Sequence, residues 1–183
     1  EELRYTRGYR RSDEKKSFYA ASAAETIAGW TNNRQTLPVL LENYRDGFPG
    51  ACVLFPDAVA TLLSLRASRL KLGLITNGSA RMQSRKLECL ALSPLFDTVL
   101  ISDLEGVSKP DRQIFHRASE RLGVRPGQAV FVGDHPEIDV DGARAAGMLS
   151  VWRRDRRRSQ VVEADAADGH HRQDARHVLL DVH

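Results

Sequence analysis

From Cys52 onward, short apolar segments alternate with helix-length segments, and this alternation constrains the fold more than any other feature of the sequence. Five segments have the length and composition of buried strands: KLGLIT (71–76), DTVLIS (97–102), AVFVGD (129–134), MLSVW (148–152) and HVLLDV (177–182). The segment from Pro110–Asp111 to Gly123 predicts a helix, and residues 136–146, ended by Gly147, predict another. The pattern predicts an α/β fold: a doubly wound parallel sheet with helices on both faces.

The first fifty residues carry no strand signal. Ser12 or Asp13 could cap a helix that runs toward Trp30, and residues 37–44 predict a second helix that is ended by the glycines and proline of 47–50. We therefore expect two parts, a small helical domain over residues 1–50 and an α/β core over residues 51–183.

Composition and charge exclude several classes of function. Hydrophobic residues make up 42% and charged residues 28% of the chain, as in soluble globular proteins, and no apolar run is long enough to cross a bilayer. The arginine clusters within 4–11 and 153–158 lack the aromatic side chains that stack on bases. We expect a cytoplasmic protein that binds neither nucleic acid nor membrane, in which Cys52 and Cys89 are buried free thiols.

Polar residues follow the predicted strands, at the sheet edge where α/β folds bind ligands. Thr76, Asn77 and Gly78 follow the first strand and lead into a helix N-terminus, an arrangement suited to an anion but also to an ordinary turn. Lys109 precedes a proline at a helix start, where it could offer a fixed positive charge, although many such lysines are simply solvated. We expect it at the edge of a cleft.

Two carboxylates follow the strand at 129–134. Asp134 ends this strand, and Asp139 lies about one turn into the next helix, so both can face one point. Hard oxygen ligands of this kind suit Mg²⁺, which takes one or two carboxylates together with water and substrate phosphate. The alternative is a helix N-terminus that carries acidic residues only because they favour the helix dipole.

The motifs LITNGS, VSKPDRQIF and VFVGDHPEIDVDGARAAGM occur in an order and spacing that resemble the second, third and fourth motifs of the haloacid dehalogenase superfamily. The resemblance covers residues 51–152. It implies a Rossmann-like core in which an aspartyl-phosphate forms during hydrolysis, and residues 1–50 resemble part of the helical cap that selects small substrates in this family.

Site roles follow from the resemblance by motif position. Thr76, with Asn77 and the backbone of Gly78, would bind the phosphoryl oxygens. Lys109 would neutralise charge between the nucleophile and the phosphate. Asp134 would hold Mg²⁺, and Asp139 would either complete the metal site or orient Lys109. Two carboxylates favour a phosphatase over a metal-free dehalogenase.

One family motif is missing at its usual place. A strand ending in DxDxT, which carries the nucleophile, should precede the cap, and residues 1–50 contain none. HVLLDVH at 177–183 resembles such a strand, and a circular permutation could place it at the centre of the sheet. We favoured the other interpretation, in which it is the family's usual last strand. His170 and His171 are expected to be solvated.

These observations predict a Mg²⁺-dependent hydrolase of small phosphomonoesters, a monomer or homodimer, that is inactive without a nucleophile segment. The alternatives are a catalytically dead binding or regulatory module of the same family and, less favoured, a 2-haloacid dehalogenase.

Overall fold

The computed structural model describes residues 36–153 and 177–180. The chain divides into two compact units, Glu1–Cys52 and Val53–His183. The helix predicted between Ser12 and Trp30 lies outside the described residues, as do His170 and His171.

The first unit contributes one described helix, α1 (Thr36–Ala51). The prediction that the helix ends before Gly47 is wrong, because it continues through Pro49 to Ala51. Two contacts at helical spacing favour the continuation: the rings of Tyr44 and Phe48 lie 5.2 Å apart, and Arg45 forms an ion pair with Glu42 at 3.6 Å. Such pairs stabilise a helix locally, although Pro49 lacks the N–H that would bond to the Arg45 carbonyl.

The second unit contains alternating helices and strands. Its helices are α2 (Ala58–Ala67), α3 (Ala80–Cys89), α4 (Ser102–Glu105), α5 (Arg112–Leu122) and α6 (Gly142–Ala145), with a π-helical segment at Pro136–Asp141 and 3₁₀ turns at Ser93–Leu95 and Pro126–Gln128. Its strands are β1 (Lys71–Thr76), β2 (Thr98–Ile101), β3 (Ala129–Gly133), β4 (Leu149–Trp152) and β5 (His177–Leu180). The five predicted strands are therefore confirmed, each within two residues at either end.

The strands form one sheet in the order β2-β1-β5-β3-β4, and every pairing is parallel. Residues along β1 alternate between two core clusters. Leu72 and Leu74 pack with Leu62 of α2 and Leu87 of α3, whereas Ile75 packs in the cluster that contains α5 and α6 residues. Because both faces of the sheet are covered by helices, the predicted doubly wound architecture is confirmed.

The position of β5 corrects our preferred interpretation of residues 177–182. A last strand would extend the sheet beyond β4, but β5 lies in the centre, paired with β1 on one side and β3 on the other. The physical reason is that β1 and β3 would otherwise face a gap with unpaired backbone groups inside the core. The arrangement is the one that the circular-permutation alternative describes.

Helix ends in this unit follow the local signals. Asp111 caps α5, its carboxylate accepting a hydrogen bond from the Gln113 N–H at 2.9 Å, and Gly123 ends it in a left-handed conformation with φ 67°. The predicted apolar stripe of α5 is buried in full: Ile114, Phe115, Ala118 and Leu122. Sequence therefore predicted this helix and its inward face correctly.

Two expectations about the surface have different outcomes. Within the described residues Cys52 and Cys89 are free thiols, but Cys52 is only half-buried and Cys89 is exposed, so the prediction that both are buried is wrong. Cys89 lies in the last turn of an amphipathic helix. The apolar residues next to it in the sequence do not show that its side chain lies on the exposed face of that helix. Among the described residues, no helix has the length and apolar character that crossing a membrane requires.

We expect Phe115→Ala to lower the free energy of unfolding by about 3–5 kcal/mol, because it opens a cavity in a closely packed core. The Phe115 ring is fully buried and meets the Phe131 ring edge-on at 5.0 Å. The measurement is chemical denaturation. Leu104→Ala is the control, since Leu104 is 67% exposed and should change stability by less than about 0.5 kcal/mol. Equal effects of the two substitutions would contradict this core assignment.

Candidate active site

Two strand ends and one loop supply the candidate site. Because all strands are parallel, the C-terminal ends of β1 and β3 lie at the same edge of the sheet. Thr76 is the last residue of β1 and its side chain is buried. Gly133 ends β3, and Asp134 follows it. The loop that carries Lys109 precedes α5. The side chains that the three motifs predict for the site therefore come from these two strand ends and this loop.

Asn77 and Lys109 are joined by two reciprocal hydrogen bonds. The Asn77 side-chain amide donates to the Lys109 carbonyl at 2.9 Å, and the Asn77 Oδ1 accepts from the Lys109 N–H at 3.0 Å. Both ends of the Asn77 side chain are thus committed to the backbone of Lys109. This geometry favours a role for Asn77 in holding the lysine loop against β1, rather than in contacting phosphate directly.

Lys109 and Asp139 form a buried ion pair. The Lys109 Nζ lies 2.8 Å from the Asp139 Oδ1, and neither side chain is exposed. The expectation that Lys109 sits at the edge of a cleft is therefore wrong. The local sequence gave no warning, because the partner that allows a lysine to be buried lies thirty positions away along the chain. The Lys109 Nζ also lies 5.3 Å from the centre of the ring of Phe131, a residue of β3.

The second oxygen of Asp139 is held by backbone. Its Oδ2 accepts hydrogen bonds from the N–H groups of Asp134 at 3.1 Å and His135 at 3.0 Å. A Cβ atom at Gly133 would lie 2.4 Å from the Asp139 Cβ, so only glycine allows this close approach. Both carboxylate oxygens of Asp139 are engaged. Of its two predicted roles, this arrangement favours orienting Lys109 over binding a metal.

Asp134 remains the carboxylate best placed for a metal. It is partly exposed at the end of β3, and the Trp152 indole N–H donates to its carbonyl at 3.0 Å, which fixes its backbone. No group of three or more His, Cys, Asp or Glu side chains that could hold a metal occurs within the described ranges 36–153 and 177–180. The described residues could thus bind Mg²⁺ only through one or two carboxylates, as is usual for this ion in proteins, with water and phosphate as the remaining ligands.

The turn after β1 depends on residues that sequence reasoning missed. Gly78 has φ 144°, and its N–H donates to the Ser102 hydroxyl at 3.0 Å. This N–H group already donates to Ser102, so the geometry favours a part for Gly78 in shaping the turn, and its role in binding phosphate stays a prediction. Gln83 donates to the Asn77 carbonyl at 2.9 Å. Ser102 is the last residue of the predicted strand at 97–102, as Thr76 is of the strand at 71–76, so the rule that led to Thr76 could have found it. Gln83 had no such signal.

The three motifs therefore form one hydrogen-bonded network. It runs from Asn77 to Lys109, from Lys109 to Asp139, and from Asp139 to the backbone of Asp134. The network holds the Lys109 cation in place, and the ends of β1 and β3 also carry the buried Thr76 hydroxyl and the partly exposed Asp134 side chain. Such a group can neutralise and orient an anionic substrate, which is the main requirement of phosphoryl transfer.

Comparison with known proteins gives one family match and many relatives. Residues 8–147 match the family model for haloacid dehalogenase-like hydrolases. The glyceraldehyde 3-phosphate phosphatase of Methanopyrus kandleri is 45% identical over 97 residues, which is 53% of this chain and 42% of the relative.

Two solved structures share the fold. A haloacid dehalogenase phosphatase from Thermococcus onnurineus has 32% identity and a TM-score of 0.55, covering 85% of this chain and 65% of that one. A 2-haloacid dehalogenase from Pseudomonas syringae has 30% identity and a TM-score of 0.58, covering 82% and 57%. The chain thus spans less than two thirds of each of these proteins. Since the family model matches more than half of it, the chain belongs to the haloacid dehalogenase-like hydrolase family.

Proposed function

We propose that this protein is a Mg²⁺-dependent phosphohydrolase that acts on a small phosphomonoester. The observation that carries the proposal is the network that links the three strand-end motifs through the buried Lys109–Asp139 pair. Relatives named as phosphatases support the reaction class.

Each residue has a separate task in this proposal. Thr76 offers its hydroxyl to a phosphoryl oxygen at the C-terminal end of β1. Lys109 provides a positive charge in a site of low dielectric, where such a charge interacts strongly with a migrating phosphoryl group. Asp139 holds the lysine in place, and Asn77 holds its backbone. When bound, Mg²⁺ would supply charge neutralisation at the phosphate, with Asp134 as its protein ligand.

The described residues favour a phosphatase over a dehalogenase, although one matched structure is a dehalogenase. A carbon–halogen substrate releases a single halide and needs no divalent metal, so a metal-binding carboxylate at Asp134 would have no task in that reaction. In a phosphatase, the Asp134 carboxylate could hold the Mg²⁺ that neutralises the charge of the substrate phosphate. A binding module without turnover is the second candidate, because Asp139 already balances the charge of Lys109.

The first prediction concerns Asp134. In the protein with its nucleophile segment, assayed with a panel of small phosphomonoesters and Mg²⁺, we expect phosphate release by the wild type and loss of most of it in Asp134→Asn, because the amide is a weaker ligand for Mg²⁺. Calorimetric titration with Mg²⁺ should show weaker binding by the same variant. Glu137→Gln is the matched control, since Glu137 is an exposed carboxylate three residues away.

Three results would contradict these assignments. Asp134→Asn with wild-type activity and Mg²⁺ affinity would remove Asp134 from the metal site. Wild-type chain that binds Mg²⁺ and inorganic phosphate but hydrolyses no member of the panel would favour the binding module. Halide release from a 2-haloacid without Mg²⁺ would instead favour the dehalogenase.

The second prediction concerns Asp139. Asp139→Asn leaves the Lys109 charge buried without its counterion, and we expect it to lower the free energy of unfolding by about 3–5 kcal/mol. Turnover should fall as well, because Lys109 is no longer held. Denaturation and steady-state kinetics on the same preparations measure both effects.

Arg121→Gln is the matched control for the ion pair. Arg121 pairs with Glu105 at the same distance of 2.8 Å, but its side chain is 47% exposed, so its loss should cost less than about 1 kcal/mol. If both substitutions cost the same, the Lys109–Asp139 pair is no more important to the fold than a surface pair.

A further inference from the structure

We propose that Arg153 helps to determine which substrates the site accepts. Its guanidinium group, held over the ring of Phe55 beside the candidate site, binds a second anionic group of the substrate. This role rests on the proposed phosphohydrolase function and adds the class of substrate to it: a small phosphomonoester that carries a further anionic group, such as a carboxylate.

The backbone places Arg153 next to the strand that leads to Asp134. Gly133, the last residue of β3, is paired with Trp152 of β4, and the Arg153 N–H donates to the Gly133 carbonyl at 2.8 Å. The Trp152 indole N–H donates to the Asp134 carbonyl at 3.0 Å. The Arg153 side chain therefore begins at the sheet edge that carries the candidate metal ligand, one strand away from it.

An aromatic side chain from a distant part of the sequence lies at the same edge. The Arg153 Cζ lies 4.2 Å from the centre of the Phe55 ring, which is a cation–π contact. Phe55 comes three residues before α2, which packs against β1. Because only residues 68–70 connect α2 to β1, the two run in opposite directions, and α2 begins near the edge where β1 ends. The contact therefore lies at the edge of the sheet that carries Thr76.

The exposure of Phe55 favours a task other than core packing for its ring. The residue is 59% exposed, although phenylalanine is among the residues most often buried, and the neighbouring Leu54 does pack against the core. The ring contacts the face of the guanidinium group, whose N–H donors lie in the guanidinium plane. The contact therefore restricts the position of the guanidinium and leaves its N–H groups able to donate to an anion.

The charges around the site favour an anion at this place. The Lys109 charge is balanced by Asp139 within the core, whereas Arg153 is exposed and forms no ion pair with a carboxylate of the described residues. A guanidinium group can bind two oxygens of a carboxylate or phosphate through parallel hydrogen bonds. A substrate with its phosphoryl group at Thr76 would therefore reach Arg153 with an anion at its other end.

Binding of phosphonates tests this role without turnover, because a phosphatase does not break their carbon–phosphorus bond. The full protein, with Mg²⁺, is titrated calorimetrically with phosphonoacetate, 3-phosphonopropionate and 4-phosphonobutyrate, and with ethyl-, propyl- and butylphosphonate as controls that lack the carboxylate. At one or more of these lengths we expect the carboxylate to tighten binding by about tenfold. Added salt should reduce this preference, since Arg153 is exposed. Ethane-1,2-bisphosphonate shows whether a second phosphoryl group binds there as well.

Four substitutions show which residues cause the preference. Arg153→Gln should abolish it and leave the binding of alkylphosphonates unchanged, whereas Arg153→Lys, which keeps the charge, should retain part of it. Phe55→Leu should weaken the preference, because the guanidinium loses the ring that holds it. Arg69→Gln is the matched control, since Arg69 is also exposed but precedes β1, at the opposite edge of the sheet. A purely structural role of Arg153 would instead change the melting temperature and the binding of all phosphonates alike.

The results separate this role from the proposed function. If alkylphosphonates bind as tightly as every probe with a second anion, or if the preference survives Arg153→Gln, the role of Arg153 is overturned and the phosphohydrolase stands. An Arg153-dependent preference in a protein that releases no phosphate would support the role within a binding module. A protein that neither binds phosphonates nor hydrolyses phosphomonoesters would overturn both proposals.

Kinetics decides the remaining case, in which phosphomonoesters are hydrolysed but phosphonates do not bind. The kcat/KM for the phosphate ester of 3-hydroxypropanoate should then exceed that for propyl phosphate, and Arg153→Gln should remove the difference. Equal values in the wild type would overturn the role of Arg153.

Discussion

The buried ion pair between Lys109 and Asp139 is the interaction on which the arrangement of the site depends. It joins the loop between α4 and α5 to the segment after β3, and each partner forms further hydrogen bonds. Removing two charges from water is costly, and a buried pair often adds little net stability compared with apolar residues. Its value here lies in geometry. In the low-dielectric core the two charges attract each other strongly, so each fixes the position of the other. The Lys109 ammonium group is therefore held at a defined place.

The second constraint is the central position of β5. A parallel sheet needs every interior strand paired on both sides, and β1 and β3 are joined only through β5. The chain therefore closes its own core with a segment from near its C-terminal end. The fit of Leu179 against Gly73 shows that this closure involves side chains as well as backbone. A consequence is that folding of the sheet and assembly of the site are coupled, since β5 holds together β1 and β3, which carry Thr76 and lead to Asp134.

Much of the secondary structure and the set of candidate residues could be predicted from sequence. The strands at 71–76 and 129–134 and the helix ended by Gly123 follow from local apolar periodicity and capping, which act over a few residues. The errors concern properties that distant residues decide. The burial of Lys109 depends on Asp139, and the exposure of Cys89 depends on which face of its helix meets the sheet. The helix that continues through Pro49 shows that a residue type that usually ends a helix does not always do so.

By itself the sequence determined the α/β class, the parallel sheet and the family motifs with Thr76, Lys109 and Asp134, because each is encoded by residue types within a short segment. It left open the place of HVLLDV, since a short apolar strand has the same local pattern at an edge as at the centre. Only the tertiary structure decided that place, and with it the roles of Asn77 and Asp139 as groups that position Lys109. The physical reason is that pairing partners and burial are properties of contacts between segments far apart in the chain.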